Sequence, residues 1–190
     1  MIGRVATDTF HGDIMSAQHV LIAGAQGVVG LAALDAFLGA GWRVTTLSRA
    51  PAGPGTAPHI SADLLDPESL APQGAALRGV THLFYAALRP NADPGIEADE
   101  NAAMLENLVA ALRTAGASLE RLIFIQGGKV YGAHLGVYRT PAREDDSRHF
   151  PPNLYFRHED FARAQEREGL KWTALRPDIV IGPSLGSSMN

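Results

Sequence analysis

Three glycines at a regular spacing, Gly24, Gly27 and Gly30, carry the clearest chemical signal in the sequence. Glycine permits a tight turn and lets backbone N–H groups approach a pyrophosphate, and a helix that begins there adds partial positive charge. The flanking residues fit this arrangement, because the run 19–23 is typical of a buried parallel strand and residues 28–38 have helical apolar spacing. The motif therefore predicts a dinucleotide-binding turn. The alternative is a tight strand–helix turn without a ligand.

The second predicted strand, residues 43–47, is followed by Ser48 and Arg49. An NAD site usually places Asp or Glu about twenty residues after the glycines, where it binds the ribose 2′-hydroxyl. Here a hydroxyl and a guanidinium stand instead, and both suit a 2′-phosphate. These residues favour NADP over NAD. The alternative is that Arg49 is a solvated loop arginine.

Further cofactor candidates lie at the ends of later predicted strands, at the edge where open α/β sheets bind ligands. Asp63 follows the short strand 59–62, and it either faces the adenine or serves as a cap or turn residue. Small residues end the strand 81–87 and leave room for a cofactor. The predicted cofactor-binding residues are Gly24, Gln26, Gly27, Val28, Ser48, Arg49, Asp63, Leu64, Ala86, Ala87 and Lys129.

Strands and helices alternate along the chain, which is typical of an α/β doubly wound parallel sheet, the NAD(P)-binding Rossmann fold. We assign residues 18–190 to this domain and residues 1–17 to an N-terminal extension. Met15 is either the natural start or part of an ordered N-terminal arm. The other predicted elements are a weak helix 69–77, a helix 96–115, a strand 121–126, a helix 154–167 that Asn153 caps and a strand 172–176, with irregular segments at 51–58 and 132–152.

The helix 96–115 carries polar residues whose role is open. The acids Glu97, Asp99 and Glu100 fall in its first turn, where they suit the helix dipole, and we interpret them as a solvated face. We expect Asn101 and Asn107 to be exposed, although either could face the cofactor.

Enzymes with this architecture often carry Tyr-x-x-x-Lys on one helix, where the ammonium lowers the pKa of the phenol. None of the four tyrosines of this chain has a lysine four residues later. We expect no metal site, because the histidines lack a metal-binding spacing, and no serine nucleophile among Ser184, Ser187 and Ser188. Taken alone, the residues indicate only NADP-linked redox chemistry.

Two segments near the middle of the chain carry a family resemblance. Gly127-Gly128-Lys129-Val130-Tyr131 matches a Gly-x-Lys-x-Tyr pattern, and Asn153-Leu154-Tyr155-Phe156-Arg157-His158-Glu159-Asp160 matches Asn-Phe-Tyr-Tyr-x-x-Glu-Asp. Together with Leu175-Arg176-Pro177, they resemble the progesterone 5β-reductase/iridoid synthase group of the extended short-chain dehydrogenases/reductases. Leu154 and Phe156 depart from the pattern but keep an apolar wall.

The resemblance implies that Lys129 and Tyr155 are a catalytic pair. In that group hydride from NADPH attacks the β-carbon of an enone, and Tyr155 would hold the developing enolate while Lys129 stabilises phenolate-like charge and orients the ribose. Other possibilities are that Lys129 only binds phosphate and that Tyr155 is a packing residue. A nucleotide-sugar epimerase or dehydratase, or a non-catalytic NADP sensor, are the alternative functions.

Members of this group are considerably longer and have a C-terminal lobe that closes over the substrate. The resemblance therefore implies that the chain lacks most of that lobe. For such a form we expect cofactor binding without efficient turnover, because the site would be open to water.

Composition restricts the class of partner. A net charge of −4 without a Lys/Arg cluster argues against nucleic acid or an anionic membrane. The chain has no cysteine, which excludes a disulfide framework and a thiolate nucleophile. Without an apolar run of membrane length or a signal peptide, the expectation is a cytoplasmic protein that acts on a small molecule. The oligomeric state stays open.

Overall fold

A parallel sheet of six strands, in the order β3-β2-β1-β4-β5-β6, forms the centre of the computed structural model, which describes residues 18–185. The order reverses between β1 and β4, as the doubly wound prediction requires, and the crevice at that reversal is where such sheets bind ligands. The prediction about Met15 lies outside the described residues. The strands are β1 (His19–Ala23), β2 (Arg43–Ser48), β3 (His59–Ser61), β4 (His82–Tyr85), β5 (Arg121–Ile125) and β6 (Lys171–Leu175).

Five α-helices connect the strands within the described range. The predicted helix 69–77 is instead two short helices separated by a 3₁₀ turn at Ala71–Gln73. Pro72 explains the break, because proline lacks the N–H that a continuous helix needs. The helices are α1 (Val28–Gly39), α2 (Pro67–Leu70), α3 (Gly74–Leu77), α4 (Pro94–Thr114) and α5 (Leu154–Glu166).

Both faces of the sheet are covered, which explains why β1 is buried along its whole length. On one face α1 packs through Ala33 and Leu34 against Ile22 and Phe84. On the other face α4 and α5 pack against each other and against the sheet, and Leu105, Leu108 and Leu112 of α4 are fully buried. No helix within residues 18–185 is long and apolar enough to cross a membrane.

The expectation that Asn101 is exposed is wrong, because its side chain is fully buried. Its Nδ2 donates to the carbonyls of Arg89 and Glu97 at 2.7 Å each, and its Oδ1 accepts from the N–H of Arg89 at 2.9 Å. Asn101 therefore satisfies backbone groups of the segment after β4 and fixes that segment to the first turns of α4.

Candidate active site

The three glycines of the turn after β1 have three different roles. Gly24 has φ +82°, and a Cβ there would lie 2.6 Å from the backbone of Ala86. A Cβ at Gly30 would lie 2.7 Å from Cα of Ala25, so Gly30 allows α1 to pack closely on the turn. At Gly27 the nearest atom to a Cβ would be the Gly24 carbonyl oxygen, at 3.6 Å. Gly27 therefore leaves the backbone accessible at the place where the sequence predicts the approach of a pyrophosphate.

A cavity of about 620 Å³ opens beside this turn, at the carboxyl ends of the strands. Its size suits a small-molecule or cofactor site. All the predicted cofactor residues line it except Lys129: these are Gly24, Gln26, Gly27, Val28, Ser48, Arg49, Asp63, Leu64, Ala86 and Ala87. The sequence analysis missed others that also line it, including Met104, Gln126, His158, Pro177 and Val180. Gln126 directly follows β5 and Pro177 lies two residues after β6, and these positions at strand ends were a usable signal.

The end of β2 forms a small polar platform. The Ser48 hydroxyl accepts from the N–H of Ala50 at 3.2 Å, and the ring of His59 lies between Thr46 Oγ1 at 2.9 Å and the Ala50 carbonyl at 3.0 Å. Arg49 is exposed, and within residues 18–185 its guanidinium has no ion pair. A free guanidinium at the cavity edge is available to an anionic ligand.

Asp63 takes the turn role, one of the two roles that its sequence position allowed, and it also lies beside the cavity. One carboxylate oxygen accepts from the N–H of Leu65 at 3.0 Å, which makes it a turn residue. The same residue also lines the cavity.

Tyr155 lies in the first turn of α5 and lines the same cavity. As predicted, Asn153 caps this helix, because its Oδ1 accepts from the N–H of Tyr155 at 2.9 Å. The phenol oxygen lies against Gly127, where a Cβ would be 3.6 Å away. Burial, and in smaller part the negative charge of Glu97, raise the pKa of Tyr155. The phenol is therefore protonated at neutral pH and is a hydrogen-bond donor.

Lys129 lies in a 3₁₀ turn after β5, and its backbone is fixed near the start of α5. Its carbonyl accepts from Nδ2 of Asn153 at 3.0 Å. Its ammonium is half exposed, does not line the cavity, and lies 3.7 Å from a carboxylate oxygen of Glu97. Asn153 thus links the backbones of Lys129 and Tyr155, whereas the lysine side chain points to α4.

The interpretation of the first acids of α4 as a solvated face is wrong for Glu97. The Glu97 side chain is only 14% exposed, whereas Asp99 is 71% exposed and pairs with Arg157. The sequence could not reveal this difference, because it depends on how the start of α4 meets the turn that carries Lys129.

Beneath Tyr155 a buried ion-pair network ties α5 to the sheet. Glu159, which is 3% exposed, accepts from Arg176 at 2.6 Å and from Arg148 at 2.9 Å. Burial alone would raise the pKa of Glu159, but the hydrogen bonds from the two arginines outweigh it and lower the pKa. Gln126 extends the network, because it accepts from Arg176 at 2.8 Å and donates to the carbonyl of Tyr155 at 3.2 Å. The network fixes the backbone that carries the phenol.

His158 lies one turn after Tyr155 and forms part of the cavity wall. Its Nε2 donates to the carbonyl of Asn101 at 3.0 Å, and burial lowers its pKa. It is therefore a neutral residue that joins α5 to α4.

Comparison with characterised proteins places this geometry in a family. The chain is 30% identical over 189 residues to an (S)-8-oxocitronellyl enol synthase of Nepeta cataria, which covers 90% of this chain and 48% of that protein. It is 35% identical over 106 residues to a short chain dehydrogenase of Penicillium aethiopicum, with 54% and 28% covered. The chain thus spans about half of the first relative and less of the second. These matches confirm the resemblance to the iridoid synthase group.

Solved structures agree on the fold. The UDP-glucose 4-epimerase of Thermus thermophilus, in complex with NAD, has a TM-score of 0.64 at 25% identity, with 84% of this chain and 54% of that chain covered. A short-chain dehydrogenase/reductase superfamily protein of Agrobacterium tumefaciens with bound NAD has a TM-score of 0.68 at 22% identity, with 84% and 48% covered. The model of the NAD dependent epimerase/dehydratase family matches residues 20–189. The chain therefore belongs to the NAD dependent epimerase/dehydratase family, the extended short-chain dehydrogenases/reductases.

Proposed function

We propose that the chain is the cofactor-binding and catalytic part of an NADPH-dependent reductase of enones or related carbonyl compounds. The observation that carries the proposal is one continuous cavity that extends from the glycine turn to the phenol of Tyr155. The relatives that are enol synthases by name support a reductase more than an epimerase.

The residues of the cavity fit a dinucleotide. The space beside Gly27 admits a pyrophosphate to the backbone. Because α1 begins at Val28, its N-terminal N–H groups would face the negative charge of that pyrophosphate. The absence of an acid after β2, with Ser48 and the free guanidinium of Arg49 in its place, suits a 2′-phosphate. When bound, the reduced nicotinamide would supply a hydride.

The chain itself would supply the polar chemistry of the reduction. Tyr155 is protonated at neutral pH, so its hydroxyl can donate a hydrogen bond to a substrate carbonyl and stabilise the negative charge that develops on that oxygen. Gln126 and Asn153 hold the backbone at Tyr155 in place. Lys129 would assist from the side of α4 after a change of its side-chain rotamer, because in this structure its ammonium is paired with Glu97.

The epimerase alternative needs a lysine four residues after the tyrosine. That position holds Glu159, which is buried and paired with two arginines. An NADP sensor without chemistry needs the same cavity but no phenol in it. The position of Tyr155 in the cavity wall therefore favours a reductase over the sensor, and Glu159 in place of the lysine favours a reductase over the epimerase.

The test is NADPH consumption at 340 nm with a small cyclic or acyclic enone. We expect NADPH binding with only inefficient turnover by the chain, and a rate at least roughly 100-fold lower again in Tyr155→Phe. Tyr138→Phe is the matched control, because Tyr138 is exposed and lies outside the cavity. Full activity of Tyr155→Phe would overturn the mechanism. Conversion of a UDP-sugar, with no enone reduction, would favour the epimerase.

A further inference from the structure

We infer that Glu97 is a positioning residue of the proposed reductase site. Its carboxylate holds the ammonium of Lys129 and lies within electrostatic range of Tyr155. The inference rests on the proposed function for its catalytic meaning. The contacts that hold Glu97 in place do not depend on that function.

The contact between Glu97 and Lys129 joins two elements that are distant in sequence. One carboxylate oxygen lies 3.7 Å from Nζ of Lys129, and the Glu97 side chain is only 14% exposed. Screening by water is weaker for such a carboxylate than for an exposed one, so the pairing with the ammonium is correspondingly stronger. Within the described residues, Lys129 is the one cation that contacts Glu97.

The backbone at Glu97 is fixed from two sides. Its carbonyl accepts from Nδ2 of the buried Asn101 at 2.7 Å, and its N–H donates to the carbonyl of Asp93, the N-cap of α4. Asn101 is in turn held by His158 of α5. A carboxylate on this anchored turn has a defined position relative to the cavity wall that carries Tyr155.

The carboxylate also acts on the phenol. Burial is the larger cause that raises the pKa of Tyr155, and the negative charge of Glu97 is the second. A negative charge nearby disfavours the phenolate, which keeps the hydroxyl as a donor at higher pH. Lys129 would have the opposite effect if it left Glu97 and approached the phenol, so the Glu97–Lys129 pair can set the proton affinity of Tyr155.

Other titratable groups lie near Glu97 and Tyr155, and the test must distinguish their effects from the effect of Glu97. His134 interacts electrostatically with Lys129, Glu97 and His149. His158 and Asp178 line the cavity from α5 and from the segment after β6. The pKa of Tyr155 is raised by burial and by the negative charge of Glu97.

The experiment is a pH titration of tyrosine ¹³Cζ signals by NMR, with the Tyr155 signal assigned from Tyr155→Phe. In Glu97→Gln we expect the pKa of Tyr155 to fall below its value in the parent chain. Asp99→Asn removes the same charge from a nearby position on the helix but from an exposed pair, and we expect no change. An unchanged or higher pKa in Glu97→Gln, or an equal fall in Asp99→Asn, overturns the inference.

Kinetics provide the second readout. A reductase that needs the protonated phenol loses activity as pH rises through the pKa of Tyr155, so the alkaline limb of the kcat profile should move to lower pH in Glu97→Gln. If no variant reduces enones but the NMR shift is present, the proposed function fails and the inference on Glu97 stands.

Discussion

Gly27 and Gly30 offer a test in which the same substitution, made at two positions three residues apart, affects two different properties. At Gly30 a methyl group would meet the backbone of Ala25 and Gly24, which cannot move aside as a flexible side chain would. Overpacking of this kind costs about 1–3 kcal/mol, and the gain in helix propensity from Gly to Ala returns about 1 kcal/mol. We therefore expect Gly30→Ala to lower the free energy of unfolding by up to about 2 kcal/mol, which lowers the Tm by up to about 4–8 °C.

At Gly27 the methyl group would make only an ordinary contact with the Gly24 carbonyl oxygen at 3.6 Å, and φ −77° with ψ 167° is a conformation that alanine adopts freely. Loss of the N-cap preference of glycine should cost only about 0.5–1 kcal/mol. The methyl would, however, occupy the approach of the pyrophosphate, and an equivalent overpacking of about 1–3 kcal/mol raises Kd for NADPH roughly 5-fold to 150-fold. Thermal unfolding followed by circular dichroism and titration of NADPH fluorescence measure the two quantities.

The two variants must differ in the property that each mainly loses. Gly30→Ala should mainly lose stability, and Gly27→Ala should mainly lose cofactor affinity. A Gly27→Ala chain that binds NADPH as tightly as the parent would refute the assignment of the pyrophosphate to this turn.

Substitutions at three further positions test the cavity and the residues that support it. Arg49→Ala should weaken NADPH by about 1.5–3 kcal/mol and leave NADH nearly unchanged; equal losses for both cofactors would exclude Arg49 as the 2′-phosphate ligand. Asn153→Ala should lower the free energy of unfolding by about 1–2 kcal/mol in urea titrations, whereas Asn153→Ser should recover the cap but not the bond to Lys129. Glu159→Gln should cost about 3 kcal/mol at pH 7. Because the pKa of Glu159 is lowered on folding, its stabilisation is present above the unfolded pKa and is lost as pH falls through the folded value, so urea titrations of the parent and Glu159→Gln should converge in acid. A difference that does not depend on pH would show that packing, rather than charge, is lost.

The sheet and the glycine turn could be predicted from sequence because their signals are local. Strand β1 is a short apolar run, and the three glycines lie between it and an apolar helix, so burial and turn geometry follow from neighbouring residues. The same holds for Asn153, whose position before the last helix predicted the cap that the structure has.

The polar residues of α4 could not be placed from sequence because their surroundings come from distant segments. Asn101 is buried because the chain after β4 turns back over the start of α4 and presents unsatisfied backbone groups to it. Glu97 is shielded because the turn after β5 brings Lys129 beside it. The direction of the Lys129 side chain likewise depends on that packing, and no spacing in the sequence encodes it.

A crystal structure of this chain with NADPH tests the central claim most directly. The account predicts that the pyrophosphate lies against the backbone at Gly27, that the 2′-phosphate contacts Arg49, and that the nicotinamide faces the hydroxyl of Tyr155 within the same cavity. A cofactor bound elsewhere, or a nicotinamide that leaves the cavity with Tyr155 out of reach, would contradict it.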